Sequence, residues 1–332
     1  MAKILIFGQA QFGQRVLEGV LAQGHEVTAV CVPPDAPGRP HDPLKAAALE
    51  KGVRVVQRKS YRGAEAEAEV APRDADIGVL AYVTQIVPGN LLDAPRLASI
   101  CFHPSLLPAY RGGSAINWQI INGETTGGLT LFRPDDGIDE GPVYLQKTIG
   151  IGPDDSAGSY YYGRVFEAGI AATLETIELV LSGRAIAREQ DDSLATYEPL
   201  CRDEHAVVDW GRSVQQVHDQ IRGCDPSPGA HCRLVGAAGA GASGDASAGA
   251  AEESNGAMVR LYGSHITSRC HRSAPGTVLA ISSAGIEVAT AGGSVLLAKL
   301  GVGGKKLAAA EAGAALGLEV GARLAGGILP RK

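Results

Sequence analysis

The residues with the clearest chemical potential are a histidine and a group of carboxylates, which lie in two separate loops. His103 ends the apolar run SICFH, a pattern that predicts a buried strand. Pro104 and Pro108 stiffen the loop that follows, and Arg111 with its neighbouring glycines supplies a cation at the mouth of the next helix. An imidazole there can act as a general acid or base. An inert histidine at the rim of the core is the alternative.

The second loop, RPDDGIDEGP, carries the carboxylates of Asp135, Asp136 and Asp139 and also follows a strand-like run. A carboxylate beside a histidine fixes the tautomer, stabilises the imidazolium and helps to orient a nucleophile. If the two loops meet, they can therefore move a proton at a reacting group. Taken alone, the acidic loop is also typical of a solvated turn or a cation site.

A third candidate, GQAQFG, places Gly8 and Gly13 at a strand-to-helix turn. It lacks the G-x-G-x-x-G spacing of dinucleotide sites, and Gln14 and Arg15 replace the Lys-Ser/Thr pair of a phosphate loop. We interpret the glycines as a tight turn. A dinucleotide-dependent oxidoreductase, which depends on this opening alone, is disfavoured.

The elements that position these loops alternate between strand and helix. Strand-like runs such as KILIFG, HEVTAVCV and ADIGVLAYV are separated by predicted helices at 14–23, 43–51, 112–122 and 156–182. This rhythm predicts an α/β, Rossmann-like domain with a parallel sheet over residues 1–190. In such sheets, ligands bind at the carboxyl ends of the strands.

A second domain follows a polar linker at 191–205. Residues 206–332 contain short strand-like pieces punctuated by glycine, a pattern that predicts a small, OB-like β-barrel. Residues 236–257 are almost all small or polar, so we predict a flexible loop there.

Composition narrows the class of protein. The 332 residues carry a formal net charge of -6, which argues against DNA as a main partner. The six cysteines form no C-x-x-C pair, so we expect reduced thiols, no metal site and a cytoplasmic location. No signal peptide or apolar stretch long enough to span a bilayer is evident, and no membrane partner is expected.

The two loops together resemble those of the folate-dependent formyltransferase family. The resemblance rests on HPSLLPAYRGGSAINW and DDGIDEG, and it extends over most of the chain through GQAQFGQ, TQIVP, TYEPL, QQVHDQIRG and GGKK. The sequences of these motifs most resemble those of the hydrolase domain of 10-formyltetrahydrofolate dehydrogenase, and they are also similar to those of methionyl-tRNA formyltransferase.

The resemblance implies roles for particular residues. His103 and Asp139 match the family's catalytic pair. The expected folate contacts come from the loop after ADIGVLAYV, the histidine loop and the acidic loop: Gln85, Ile86, Val87, Ser105, Leu106, Leu107, Pro108, Arg111, Arg133, Pro134, Asp135 and Asp136.

One position departs from the family pattern. Where the transferases usually carry Asn, two residues before the histidine, this chain has Cys101. The Asn amide can donate to the oxyanion that forms on the formyl carbon, whereas a thiol is a weak donor. Losing such a donor costs on the order of 3 kcal/mol in the barrier. A nucleophilic Cys101 would need a lowered pKa, and simple packing is the other interpretation.

A second departure concerns the loop after the second strand. Methionyl-tRNA formyltransferases typically carry a basic insertion there, whereas this loop, PPDAPGRPHDPLK, offers only Arg39 and Lys45. That is too few cations for a strong hold on RNA.

The sequence therefore predicts an enzyme that uses 10-formyltetrahydrofolate as its formyl-donor substrate, without a metal or a nicotinamide. The acceptor is an amine metabolite or water, the latter giving formate and tetrahydrofolate. Initiator methionyl-tRNA is the alternative acceptor, and a folate-binding protein without turnover is the non-enzymatic alternative.

Overall fold

A computed structural model describes residues 1–70, 74–235 and 256–326, and the chain divides into two compact units. The first comprises Met1–Ala115, Thr126–Gly150 and Tyr161–Pro199. The second comprises Ile116–Thr125, Ile151–Tyr160 and the described part of Leu200–Lys332. The division that the sequence suggested, at residues 190 and 205, remains a prediction.

The first unit is built on a seven-stranded sheet in the order β3-β2-β1-β4-β5-β6-β7. Its strands are β1 (Lys3–Gly8), β2 (Glu26–Val32), β3 (Val55–Gln57), β4 (Ile77–Ala81), β5 (Ala98–His103), β6 (Thr126–Phe132) and β7 (Val143–Gly150).

The helices that the structure describes up to residue 181 are α1 (Ala10–Ala22), α2 (Pro43–Glu50), α3 (Ala64–Val70), α4 (Gly89–Leu92), α5 (Ala115–Ile121), α6 (Ala157–Tyr160) and α7 (Phe166–Leu181). Each predicted helical range contains a helix, although α1 begins four residues earlier than predicted and α3 was not predicted. The single helix predicted over 156–182 is divided, because a π-helical turn at Tyr161–Val165 separates α6 from α7.

Strands β1 to β5 pair in parallel, as the alternating pattern predicts. The prediction of a parallel sheet is wrong for β6 and β7, which are antiparallel to their neighbours. The connection between these two strands is short, and only antiparallel neighbours can be joined without a long crossover. Phe132, at the end of β6, pairs with Cys101 of β5, so the acidic loop must turn back to approach the end of β5.

Alternation along β5 sends its side chains to opposite faces of the sheet. Phe102 stacks on Phe12 of α1, with ring centroids 4.5 Å apart. Cys101 packs against the apolar cluster on the other face, which includes Leu80 and Leu91. His103 shares the face of Cys101 and therefore lies opposite α1.

The glycines of the Gly8 turn allow neighbouring segments to pack closely. A Cβ at Gly8 would overlap the carbonyl oxygen of Ala81, and one at Gly13 would lie 2.9 Å from Leu44. The backbone N–H of Ala10, at the start of α1, donates to the carboxylate of Asp42 at 2.8 Å. A carboxylate at this helix terminus disfavours a bound phosphate, which agrees with the interpretation of a structural turn.

The second unit contains an antiparallel sheet in the order β10-β11-β12-β9-β8-β14, with β13 paired to β12. Its elements are α8 (Val214–Gly223), β8 (His231–Val235), β9 (Met258–Thr267), β10 (Val278–Ser282), β11 (Gly285–Thr290), β12 (Gly293–Val302), β13 (Lys305–Ala308), α9 (Ala309–Ala315) and β14 (Arg323–Ala325).

Backbone hydrogen bonds join the two edges of this sheet. Val278 donates to Ala322 at 2.9 Å, and Leu324 donates to Gly276 at 2.8 Å. The sheet therefore curls until its edges meet, around a core that includes Trp210. The finer OB-like assignment remains a prediction, and residues 236–255 of the predicted loop lie outside the described residues.

None of the helices in the described ranges is both long enough and apolar enough to cross a membrane.

We expect Gly8→Ala to lower the free energy of unfolding by about 1–3 kcal/mol, because the added methyl group must displace the backbone of Ala81. Gly150→Ala is the matched control, since a Cβ there meets no atom within 4 Å. Urea unfolding of both variants measures the difference. Equal midpoints would show that the turn tolerates a side chain.

Candidate active site

His103 is held in one orientation by the backbone of its own loop. The residue is 6% exposed. Its Nε2 donates to the carbonyl oxygen of Tyr110 at 2.8 Å, and because a carbonyl only accepts, Nε2 must carry the proton. Tyr110 adopts a φ of 60, a region that non-glycine residues seldom occupy. The other ring nitrogen, Nδ1, is thereby turned toward the acidic loop.

Asp139 meets that nitrogen. Its Oδ2 lies 3.4 Å from Nδ1 of His103 and accepts a hydrogen bond from the backbone N–H of Gly112 at 2.8 Å. Asp139 also has a positive φ, 60. The structure therefore brings together the two side chains that the sequence singled out, from loops 36 residues apart in the chain.

The two protonation states of the ring differ in how Nδ1 meets Asp139. A neutral His103 with its proton on Nε2 would turn the lone pair of Nδ1 toward the carboxylate of Asp139. The imidazolium satisfies both neighbours, since it donates from both nitrogens. The separation of 3.4 Å is longer than a direct hydrogen bond, so the Nδ1 proton can also be offered to a group that enters beside the carboxylate. The pair can hold and deliver one proton.

Arg111 and Gly112, which lie between His103 and Asp139 in the chain, are packed closely against residues 190–198. Gly112 has a φ of 104, and a Cβ there would lie 2.7 Å from the carbonyl oxygen of Glu198. Arg111 is 4% exposed, and its Nη2 donates to Gln190 at 2.9 Å and to Asp192 at 2.7 Å. The guanidinium is thus bonded within the protein, and its predicted contact with folate remains a prediction.

The Ser-Leu-Leu-Pro part of the histidine loop is fixed by a buried threonine. Thr130 donates to the carbonyl oxygen of Ser105 at 2.6 Å and accepts from the backbone N–H of Leu107 at 3.1 Å. Ser105 and Leu107 are buried, and Leu106 packs on Gly128 of β6. Only Pro108 of the four is adjacent to a sizeable groove without being buried itself.

The three predicted contacts in the loop after β4 differ in exposure. Gln85 donates to the carbonyl oxygen of Arg58 at 2.8 Å, and Val87 is buried. Ile86 is 65% exposed, so of these three predicted contacts it has the freest side chain.

The acidic loop lies against the start of α4. A Cβ at Gly89 would lie 2.7 Å from Oδ1 of Asp136, which brings this loop beside the one after β4. Asp135 accepts from the backbone N–H of Gly137 at 3.0 Å, and the exposed Arg133 pairs with Asp93 at 3.4 Å. Pro134, between them, is half-buried.

Two cavities lie near these loops. One is a narrow gap at the ends of β1, β2 and β4, too small for a water molecule, with Gln85 in its wall. A larger groove of about 560 Å³ runs along β7 and residues 184–186 and 188–191, and it contacts Leu107 and Pro108. Neither His103 nor Asp139 lines either of these two cavities.

Cys101 lies on the same face of β5 as His103. Burial raises the pKa of its thiol well above the ordinary value, and the nearby Asp139 carboxylate raises it further. The thiolate, which is the nucleophilic form, is therefore disfavoured. This environment supports packing rather than covalent catalysis.

Sequence reasoning missed the polar segment at 190–197. Thr196 bonds to the histidine loop, Tyr197 bonds to the acidic loop, and Gln190 bonds to both. The motif TYEPL contributed to the family resemblance, yet nothing in its residue types indicates those contacts.

Comparisons with known proteins bear on this arrangement. The family model for formyl transferase matches residues 2–177, and the model for the formyl transferase C-terminal domain matches residues 201–315. Methionyl-tRNA formyltransferase of Geobacter sulfurreducens is 35% identical over 328 residues, which cover 97% of this chain and 96% of that protein.

Two further proteins show the range of the likeness. Cytosolic 10-formyltetrahydrofolate dehydrogenase of Mus musculus is 38% identical over 239 residues, 70% of this chain but only 26% of that protein. Among solved structures, the sugar 3N-formyl transferase WlaRD with dTDP and 5-N-formyl-THF superposes with a TM-score of 0.66 at 18% identity, covering 90% of this chain and 97% of that one. At that identity the likeness shows the fold alone.

We expect Cys101 to react with iodoacetamide at pH 7.5 at least about tenfold more slowly than the exposed Cys270, because its raised pKa keeps it in the thiol form. Asp139→Asn should speed the reaction of Cys101, since removing the negative charge lowers the pKa of the thiol. Peptide mapping by mass spectrometry measures both rates. Cys101 reacting as fast as Cys270 would contradict the assignment.

Proposed function

The chain belongs to the formyl transferase family, and we propose that it is a cytoplasmic enzyme that removes the formyl group of 10-formyltetrahydrofolate. The group passes to an amine acceptor or to water. The observation that carries the proposal is the separation of 3.4 Å between Nδ1 of His103 and Oδ2 of Asp139, with Nε2 already bonded to the backbone.

The reaction needs one proton to change place. The nucleophile attacks the formyl carbon, the carbonyl electron pair moves to oxygen, and the bond to N10 then breaks. The proton that the nucleophile loses must reach N10. His103, through Nδ1, donates to and accepts from the reacting groups, and Asp139 stabilises the imidazolium between the two transfers.

The developing oxyanion needs stabilisation that Cys101 supplies poorly. Its raised pKa keeps the thiol protonated, and the half-buried thiol is a weak donor. His103 lies on the same face of β5 as Cys101, and the positive charge of its imidazolium can offset the oxyanion. Turnover is therefore slower than with an amide at position 101, but the proton chemistry is intact.

The folate would bind where the loop after β4, the histidine loop and the acidic loop come together. We assign the pterin and its linker to three groups of residues: Gln85, Ile86 and Val87; Ser105, Leu106, Leu107, Pro108 and Arg111; and Arg133, Pro134, Asp135 and Asp136. Support comes from the contact of Asp136 with Gly89, which joins two of these loops.

The acceptor is a small amine or water, or else methionyl-tRNA, which is the second candidate. The match to a methionyl-tRNA formyltransferase over 97% of the chain favours it. The charge of the loop after β2 opposes it, because Lys45 is buried and bonded to Asp35 and Gln57. Arg39 is left as the exposed cation of that loop, and one cation contributes little to RNA affinity. We therefore favour a small amine or water.

We expect the protein to convert 10-formyltetrahydrofolate to tetrahydrofolate, and His103→Ala and Asp139→Asn to lower kcat by about 100-fold or more, because each breaks the proton pathway. Matched controls are His41→Ala and Asp74→Asn, which alter exposed ion pairs elsewhere. Tetrahydrofolate, formate and formylated product are quantified with water alone, with small amines and with methionyl-tRNA.

Full activity of either site variant would refute the assigned roles. Binding of the folate without any product, in the wild type and with every acceptor, would select the folate-binding alternative.

We expect Cys101→Asn to raise the rate of formyl transfer about tenfold or more, because the amide adds the missing oxyanion donor. Cys101→Ala, which adds no donor, is the control and should stay near the wild-type rate. Single-turnover rates measure the chemical step directly. An Asn variant no faster than the Ala variant would show that the donor is supplied from elsewhere.

A further inference from the structure

We infer that Gln190, Thr196 and Tyr197 are positioning residues that hold the His103–Asp139 pair in its working geometry. We call residues 190–197 the strap. The inference rests on the proposed function for its catalytic consequence, but the contacts that carry it are independent of any substrate.

The strap fixes the backbone of the acidic loop on both sides of the catalytic carboxylate. Nε2 of Gln190 donates to the carbonyl oxygens of Asp139 at 2.9 Å and Gly141 at 2.7 Å. The Tyr197 hydroxyl donates to the carbonyl oxygen of Ile138 at 2.7 Å. Three carbonyls within four residues are thereby bound, so the carboxylate cannot shift without breaking a strap contact.

The strap also fixes the histidine loop, at the residue that orients the imidazole. The backbone N–H of Tyr110 donates to the Thr196 hydroxyl at 2.7 Å, and the N–H of Arg111 donates to the carbonyl oxygen of Thr196 at 2.9 Å. Tyr110 is the residue whose carbonyl accepts from Nε2 of His103. The strap therefore acts on the ring through one intervening peptide.

Gln190 links the buried guanidinium of Arg111, in the histidine loop, to the backbone of the acidic loop. The Oε1 atom of Gln190 accepts from Nε and Nη2 of Arg111, while Nε2 of Gln190 donates to backbone carbonyl oxygens of the acidic loop. A single amide thus satisfies a cation in one loop and carbonyls in the other. The amide must keep this orientation, because the opposite one would set donors against the guanidinium.

Backbone strain explains why the loops need this support. Tyr110 and Asp139 both adopt left-handed conformations, with φ of 60. Non-glycine residues remain in such conformations only where surrounding contacts impose them. The strap residues are exposed or half-buried, so their hydrogen bonds to the loops, rather than core packing, are their main contribution.

The test uses three variants of the full chain. Tyr197→Phe removes only the hydroxyl, and Gln190→Glu keeps the acceptor for Arg111 but loses the donor to the acidic loop. Ser193→Ala is the matched control, because Ser193 lies in the strap and bonds to Asp191 instead of to either loop. We expect kcat to fall about tenfold for Tyr197→Phe and about 100-fold for Gln190→Glu, with KM for the formyl folate within about twofold. The control should match the wild type.

A second measurement needs no turnover. The ¹⁵N chemical shifts of the His103 ring report which nitrogen carries the proton. We expect the wild type and Ser193→Ala to show a protonated Nε2, and Gln190→Glu and Tyr197→Phe to show altered shifts at Nδ1 as the carboxylate moves away.

The outcomes separate the strap from the proposed function. Altered ring shifts in a protein that never uses 10-formyltetrahydrofolate would support the strap and overturn the function. Wild-type kcat and wild-type shifts in both strap variants of an active enzyme would overturn the strap and leave the function standing.

Discussion

The hydrogen bond from Nε2 of His103 to the Tyr110 carbonyl is the constraint on which the site depends. It assigns the tautomer, because a carbonyl cannot donate, and it leaves Nδ1 as the only ring nitrogen that faces Asp139. A freely rotating imidazole would have to be oriented again at each turnover. Here the backbone has already settled that orientation, which is what the proposed acid–base role requires.

The direction of β6 determines how the acidic loop reaches His103. Because β6 is antiparallel to β5, its end pairs with Cys101 and the acidic loop begins short of His103. The loop must therefore turn back, with Asp139 in a left-handed conformation, to reach the ring. The strain at Asp139 and the hydrogen bonds that hold its carbonyl are consequences of one topological fact.

Local patterns in the sequence predicted much of this, and their limits are physical. His103 and the three carboxylates of the acidic loop were noticed because each group follows an apolar run, and the family resemblance then singled out Asp139. The Gly8 turn was interpreted as structural because its spacing fits no phosphate site, and the contact of Ala10 with Asp42 agrees with that interpretation. The direction of β6 could not be predicted, since periodicity carries no information about strand direction. The hydrogen-bond partners of Gln190 and Tyr197 are Asp139 and Ile138, which lie 51 and 59 residues away in the chain. Only the fold brings these residues together.

The effect of Cys101 on the rate of formyl release is independent of which acceptor takes the formyl group. A missing oxyanion donor raises the barrier by a similar amount for water, an amine or methionyl-tRNA, because every nucleophile passes through the same tetrahedral carbon. The thiol therefore carries no information about the acceptor. Acceptor choice has to come from surfaces outside the catalytic pair, and at the loop after β2 the pairing of Lys45 with Asp35 removes a cation that an RNA would need. On electrostatic grounds that loop suits a small acceptor better than a polyanion.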